Sequence, residues 1–182
     1  MIILNARVKM QRQGLLDFVM YVNTFKHTKK LTILEVGSFV GNSASIFASH
    51  FGHVICVDSW TDKGLSDTAR LMWKEQGYTK EILEAAFDKA VSVFDNVEKI
   101  KGDSVEIGKS FGREVDIVYI DAAHDYESVK NDIAAWKDWA TLFISGHDYW
   151  PKRFDGVIKA VNEAFGKPDK VFADNSWIVK VK

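Results

Sequence analysis

Short runs of β-branched and apolar residues alternate with longer amphipathic stretches along most of this chain. That alternation constrains the fold more than any other feature. The runs Leu31–Val36, His53–Val57, Val97–Ile100, Val115–Ile120 and Thr141–Ser145 read as buried strands. Between and after them, Gly41–His50, Lys80–Phe94, Ser104–Phe111, Tyr126–Trp139 and Arg153–Phe165 carry helical patterns. In the fourth of these, Tyr126, Val129, Ile133 and Trp136 make one apolar stripe. A leading helix over Gln11–Phe25 and a closing pair of strands, Lys170–Ala173 and Trp177–Val181, complete the pattern. Strands that alternate with helices need long crossovers, so the expected fold is α/β: a mostly parallel, doubly wound sheet with helices on both faces. The segment Ser59–Thr79, with Trp60, Trp73 and Tyr78 among Asp, Lys and Gly, has weak periodicity. It follows the carboxyl end of a strand, where such folds place ligand loops or plain surface excursions.

The totals narrow the class. A length of 182 residues suggests one domain, and 47% hydrophobic content is ample for a core. Net charge is -1, which disfavours a dedicated nucleic-acid binder. Cys56 is the only cysteine and lies within V-I-C-V, so it reads as a buried structural thiol. No stretch reaches the ~18 apolar residues of a membrane span, and the start lacks a continuous apolar signal region. The expectation is a soluble, cytoplasmic protein with no membrane partner.

Acids and histidines gather where strands end. L-T-I-L-E-V-G-S-F-V-G-N-S is a strand, a glycine turn and a helix start. Its G-x-x-x-G departs from the dinucleotide fingerprint, with Phe39 where close approach of a pyrophosphate needs glycine. Glu35 places a carboxylate inside an apolar strand, which is costly unless it is paired. Asp58 ends the second strand; it can accept from ribose hydroxyls or cap the next turn. Asp103, in K-G-D-S, can meet an adenine or N-cap a helix. The fourth and fifth strands end in Y-I-D-A-A-H-D-Y and S-G-H-D-Y, bringing Asp121, His124, Asp125, His147 and Asp148 to neighbouring strand ends. Capping of the next helix competes with catalysis for His124 and Asp125. His27, His50 and His53 lie at element ends, and Trp136 with Trp139 reads as core.

In their order and spacing, E-V-G-S-F-V-G-N-S, V-D-S-W, K-G-D-S, Y-I-D-A-A-H-D-Y-E-S-V-K-N-D-I-A-A-W, G-H-D-Y and N-S-W-I-V-K resemble class I S-adenosylmethionine-dependent methyltransferases. The resemblance runs from about Leu31 to Lys182 and is nearest to small metal-assisted O-methyltransferases of macrolide-sugar and catechol type. It implies a Rossmann-like sheet with an antiparallel closing strand, a methyltransferase core over 31–182 and a helical extension over 1–30. By resemblance, Glu35, Gly37 and Gly41 hold the methionine end and frame the cofactor. Asp58 takes the ribose, and Asp103 with Ser104 the adenine. Asp121, His147 and Asp148 are implied metal ligands. Two features depart from the family: D-W-A-T-L replaces its proline-glycine-glycine turn, and His147 stands where paired acids are usual. An imidazole suits manganese, iron or zinc better than magnesium.

Methyl transfer to a hydroxyl needs in-line approach and removal of a proton. His124 is the first candidate base and His147 the second, because imidazole titrates near neutrality. The expected activity is O-methylation of a small hydroxylated acceptor, a sugar or catechol-like group, with S-adenosylmethionine and a divalent metal (magnesium or manganese). A non-catalytic S-adenosylmethionine-binding module with a degenerate metal site is the alternative; methylation of a macromolecule is a third reading.

Overall fold

A computed structural model of the chain describes residues 2–61, 71, 74–75 and 77–181, with side chains from residue 9 onward. Its strands are β1 (Thr32–Val36), β2 (His53–Asp58), β3 (Val97–Lys101), β4 (Val115–Ile120), β5 (Ala140–Gly146), β6 (Lys170–Val171) and β7 (Trp177–Lys180). Its longer helices are α1 (Ile2–Asn23), α2 (Asn42–His50), α3 (Lys80–Val91), α4 (Ser104–Lys109), α5 (Tyr126–Trp136) and α6 (Asp155–Phe165). The seven described strands form one sheet in the order β3-β2-β1-β4-β5-β7-β6. β1 to β5 are mutually parallel, and β7 runs antiparallel to β5 and β6. This is the doubly wound arrangement that the alternation implies, with its closing antiparallel strand.

Each face of the sheet carries its own core. On one, Ile33, Cys56, Ile117, Tyr119 and Phe143 pack against Leu15, Phe18 and Val22 of α1 and Phe47 of α2. On the other, Leu34, Val36, Val57, Val118 and Ile144 meet Val129, Ile133 and Trp136 of α5 and Val157 and Val161 of α6. The stripe read along α5 is therefore its buried face. Trp136 is fully buried and Trp139 packs at the edge of the same core. Cys56 is buried, and enclosure pushes its thiol pKa up, as expected of a structural cysteine.

Most element ends fall within three residues of the sequence reading, and three differences stand out. α1 begins nine residues before Gln11 and stops at Asn23. In D-W-A-T-L, Asp138 and Trp139 end a 3-10 turn, Lys137–Trp139, and the next three residues already belong to β5; the Trp139 indole donates to the Gly108 carbonyl at 2.7 Å. The predicted strand Lys170–Ala173 shortens to two residues, because Phe172 turns back in a hairpin with Asn175 and Ser176. Much of Ser59–Thr79, including Trp73, lies outside the described residues. Among the described residues, no helix is long and apolar enough to cross a membrane.

Parallel strands aim all their carboxyl ends at one rim. Successive ladder bonds carry the chain out there: Gly37 N–H to Val57 O, Asp121 N–H to Val36 O, and His147 N–H to Ile120 O, at 2.8, 2.8 and 3.0 Å. Connections leave β1 toward β2 on one side, while β4 lies on its other side. The crevice above β1 and β4 is thus the topological switch point, where open α/β sheets bind ligands.

Candidate active site

A cavity of about 790 Å³ opens at that switch point. Gly37, Asp58, Asp103, Ser104, Asp121, His124, His147 and Asp148 all line it. Of the residues singled out in the sequence, Glu35 and Gly41 stand behind its wall.

The glycine turn is built for packing. Gly37 has φ 91°, and a Cβ there would sit 2.2 Å from the Asp121 carbonyl oxygen, so only glycine lets the β1 turn close against the end of β4. Gly41, at φ 81°, precedes the first turn of α2 and fits beneath Phe87 and Ala90 of α3. Between them Phe39 has φ 46°, a backbone state that bulky residues rarely adopt. Two bonds hold it there. Its N–H donates to Asp58 Oδ2 at 2.8 Å, and its carbonyl accepts from the Trp60 indole at 2.7 Å. Trp60 and Asp148, both lining the cavity, share the positive φ, at 48° and 61°. Strained backbone of this kind concentrates at ligand sites.

Asp58 serves the local turn considered for it and lines the cavity as well. Oδ1 accepts from the Trp60 N–H at 2.6 Å, a local turn, while Oδ2 holds the glycine loop. Each oxygen keeps a second lone pair for a donor in the cavity. Asp103 N-caps α4 through Val105 and Glu106 and also lines the cavity. Glu35 sits between Cys56 and Tyr119 of the flanking strands, wholly buried. Burial pushes its carboxyl up to about 7, with the Ser38 and Ser43 side chains drawing it back down. Neither closes a hydrogen bond on Oε1, which is unpartnered, as is the Ser38 hydroxyl. Two buried polar atoms, one behind the cavity wall and one in it, are thus left without a partner.

At the other end, the acids and imidazoles of β4 and β5 converge. His124 Nε2 lies 2.7 Å from Asp148 Oδ2, and His147 Nδ1 lies 3.2 Å from Asp148 Oδ1. Burial opposes the charge on Asp148, but these imidazoles outweigh it and hold its carboxyl well below the usual range. Asp121 is shifted the other way: burial raises it, against the pull of His147. For His124, contact with Asp148 overcomes burial and raises its pKa. His147 is pushed up to about 11, burial being outweighed by Asp148, Asp174 and Asp121. It is 9% exposed, against 42% for His124.

A family described as "Methyltransferase domain" matches residues 34–149. The chain belongs to this methyltransferase family. No curated protein sequence matches it. Its fold is shared with solved methyltransferases of low identity. The O-methyltransferase NovP has a TM-score of 0.64 at 13% identity, over 96% of this chain and 78% of that one. The calicheamicin-biosynthesis enzyme CalS11, a TDP-rhamnose 3'-O-methyltransferase, gives 0.53 at 14%, over 91% and 79%. Phosphoethanolamine N-methyltransferase 1 of Haemonchus contortus, solved with phosphoethanolamine and S-adenosylhomocysteine, gives 0.56 at 12%, over 81% of this chain; the chain spans 27% of that enzyme.

In this methyltransferase, one ligand atom each from Asp121, His124 and Asp148 fall within 4.8 Å of one another. Two carboxylates and an imidazole at that spacing fit a divalent cation, with manganese or zinc better suited than magnesium. His147 stands beside this set. Its Nδ1 is turned to Asp148, with Asp121 at 4.0 Å, and its Nε2 is 3.6 Å from Asp174 Oδ2.

Sequence reasoning missed Asp174 and Asp132. Asp174 lies in the β6–β7 turn and joins His147 to Ser176, whose hydroxyl meets the Tyr119 phenol at 2.8 Å. A-D-N-S reads only as a turn, so nothing in the sequence signals that link. Asp132 gave a signal that went unused: it is an acid on the buried face of α5, beside Ile133 and one turn before Trp136.

Proposed function

We propose that this protein transfers a methyl group from S-adenosylmethionine to a hydroxyl of a small acceptor, a sugar or catechol-like group, assisted by a divalent metal. One observation carries the reading: a single cavity runs from Asp58 and Asp103 at one end to Asp121, His124 and Asp148 at the other. Cofactor groups and reaction groups therefore share one open cleft. Asp58 accepts from the ribose hydroxyls, and the orphaned Glu35 oxygen, behind the wall that Gly37 and Ser38 line, takes the methionine ammonium. Asp103 and Ser104 flank the adenine.

His124 receives the acceptor's proton. It is the more open of the two histidines, and Asp148 fixes its ring and stabilises the imidazolium that forms. His147, enclosed by Asp121, Asp148 and Asp174, keeps its proton and holds Asp148 in place. A cation held by Asp121 and Asp148 would lower the pKa of the acceptor hydroxyl and orient it. The sugar acceptor of CalS11 and the family's methyl transfer support the acceptor class.

Transfer of label from methyl-tritiated S-adenosylmethionine to a panel of catechols and vicinal-diol sugars tests the proposal. Turnover should vanish with EDTA, return with manganese, and be lost in Asp121→Asn and Asp148→Asn, while cofactor affinity stays within about twofold. Cofactor binding with no transfer to any acceptor would point to a binding module.

A further inference from the structure

Asp103 follows β3 and Asp148 follows β5, with β2, β1 and β4 between those strands, so the base-binding end lies far from the acid–imidazole cluster. At that end the polar atoms expected to read a purine are largely committed. Asp103 Oδ1 accepts from the backbone N–H groups of Val105 and Glu106, at 3.1 and 3.2 Å. The Ser104 hydroxyl donates to Asp132 and accepts from the Trp136 indole at 3.0 Å. A hydroxyl has one proton, so the Ser104 side chain has no donor left for a ligand.

Asp132 is in a different position. It is 4% exposed, it lines the cavity, and among the described residues it accepts only the Ser104 hydroxyl. Burial pushes its carboxyl up to about 6, with Ser104 holding it back from going higher. A buried carboxyl with unspent lone pairs is costly unless a donor meets it. Its partners pin it in place: Trp136 fixes Ser104, and Ser104 fixes Asp132. Val105 lines the same cavity and offers an apolar surface of the sort that a flat base packs on.

We propose that Asp132 is a specificity-determining residue, accepting a hydrogen bond from the exocyclic 6-amino group of the cofactor's purine and so selecting a 6-amino over a 6-oxo base. The assignment rests on the S-adenosylmethionine reading of the cavity. A 6-oxo purine presents an acceptor at that position, and two acceptors facing each other in a buried site leave both unsatisfied.

Calorimetric titration at pH 8, with S-adenosylhomocysteine and S-inosylhomocysteine as probes, tests this. Wild-type protein should bind the adenosyl compound at least tenfold more tightly than the inosyl one. Asp132→Asn keeps an oxygen for Ser104 and gains an amide donor, so it should lose at least tenfold for the first ligand and narrow the ratio. Asp132→Ser, a second variant checked for folding by circular dichroism, should narrow it too. Equal wild-type affinities, or a wild-type ratio in folded variants, would overturn the role of Asp132 alone. Failure of wild-type protein to bind either compound would overturn the cofactor reading, and this assignment with it.

Discussion

Glu35 shows how one side chain sets a local conflict between stability and ligand binding. Its folded-state value of about 7 lies above the ordinary 4.5. The unfolded chain therefore gives up this proton first, and the group's contribution to stability falls as pH rises from 4.5 to about 7. Glu35→Gln removes the penalty. The ligand-free variant should be more stable than wild type at pH 8, by up to about 3.4 kcal/mol, with the gap closing toward pH 4.5. Urea denaturation at several pH values measures it, and a difference independent of pH would contradict the assignment. Under the proposed function the same substitution should weaken cofactor binding, because it takes away the charge proposed to meet the ammonium. That Glu35 was out of place could be read from its apolar neighbours. Its lack of a hydrogen bond on Oε1 could not, since that depends on how Ser38 and Ser43 turn.

Helices and strands were legible wherever local pattern and burial agree. β4 matches its predicted bounds, and the α5 stripe faces the core. What stayed hidden were contacts between elements far apart in the chain. Gly14 is an example: within α1 it reads as a helix-weakening residue, yet a Cβ there would lie 2.0 Å from Asp174 Cγ. Asp174 cannot easily yield, because Ser176 holds both its oxygens, at 3.0 and 2.9 Å. Gly to Ala inside a helix ordinarily gains up to about 1 kcal/mol. Here Gly14→Ala should instead destabilise by about 1–3 kcal/mol, as overpacking does. Thermal denaturation decides the sign, and a raised melting temperature would show that Asp174 moves aside freely. Through Asp174, α1 and the closing hairpin both bear on His147, a link between the two ends of the chain that spacing does not encode.

Taken as a whole, the molecule places its polar clusters on the one rim where a parallel sheet leaves backbone ends open. Strand order decides which of them meet: β1 and β4 are neighbours, so the glycine turn abuts Asp121 and the cavity spans both. The alternation of elements predicts that rim, and the acids at the strand ends mark it, so the site's outline was readable before its geometry. The division of labour within it was not, because His124 and His147 differ mainly in exposure and in their partners. Equilibrium dialysis of methyl-tritiated S-adenosylmethionine against wild-type protein and Asp58→Ala bears on this reading as a whole. Asp58 ties the Phe39 and Trp60 backbones and lines the cavity, so its loss removes the loop's anchor and, with it, the proposed ribose acceptor. One cofactor should bind per wild-type chain, with at least a tenfold loss in the variant. No saturable binding to wild-type protein, or equal binding to a folded Asp58→Ala, would contradict it.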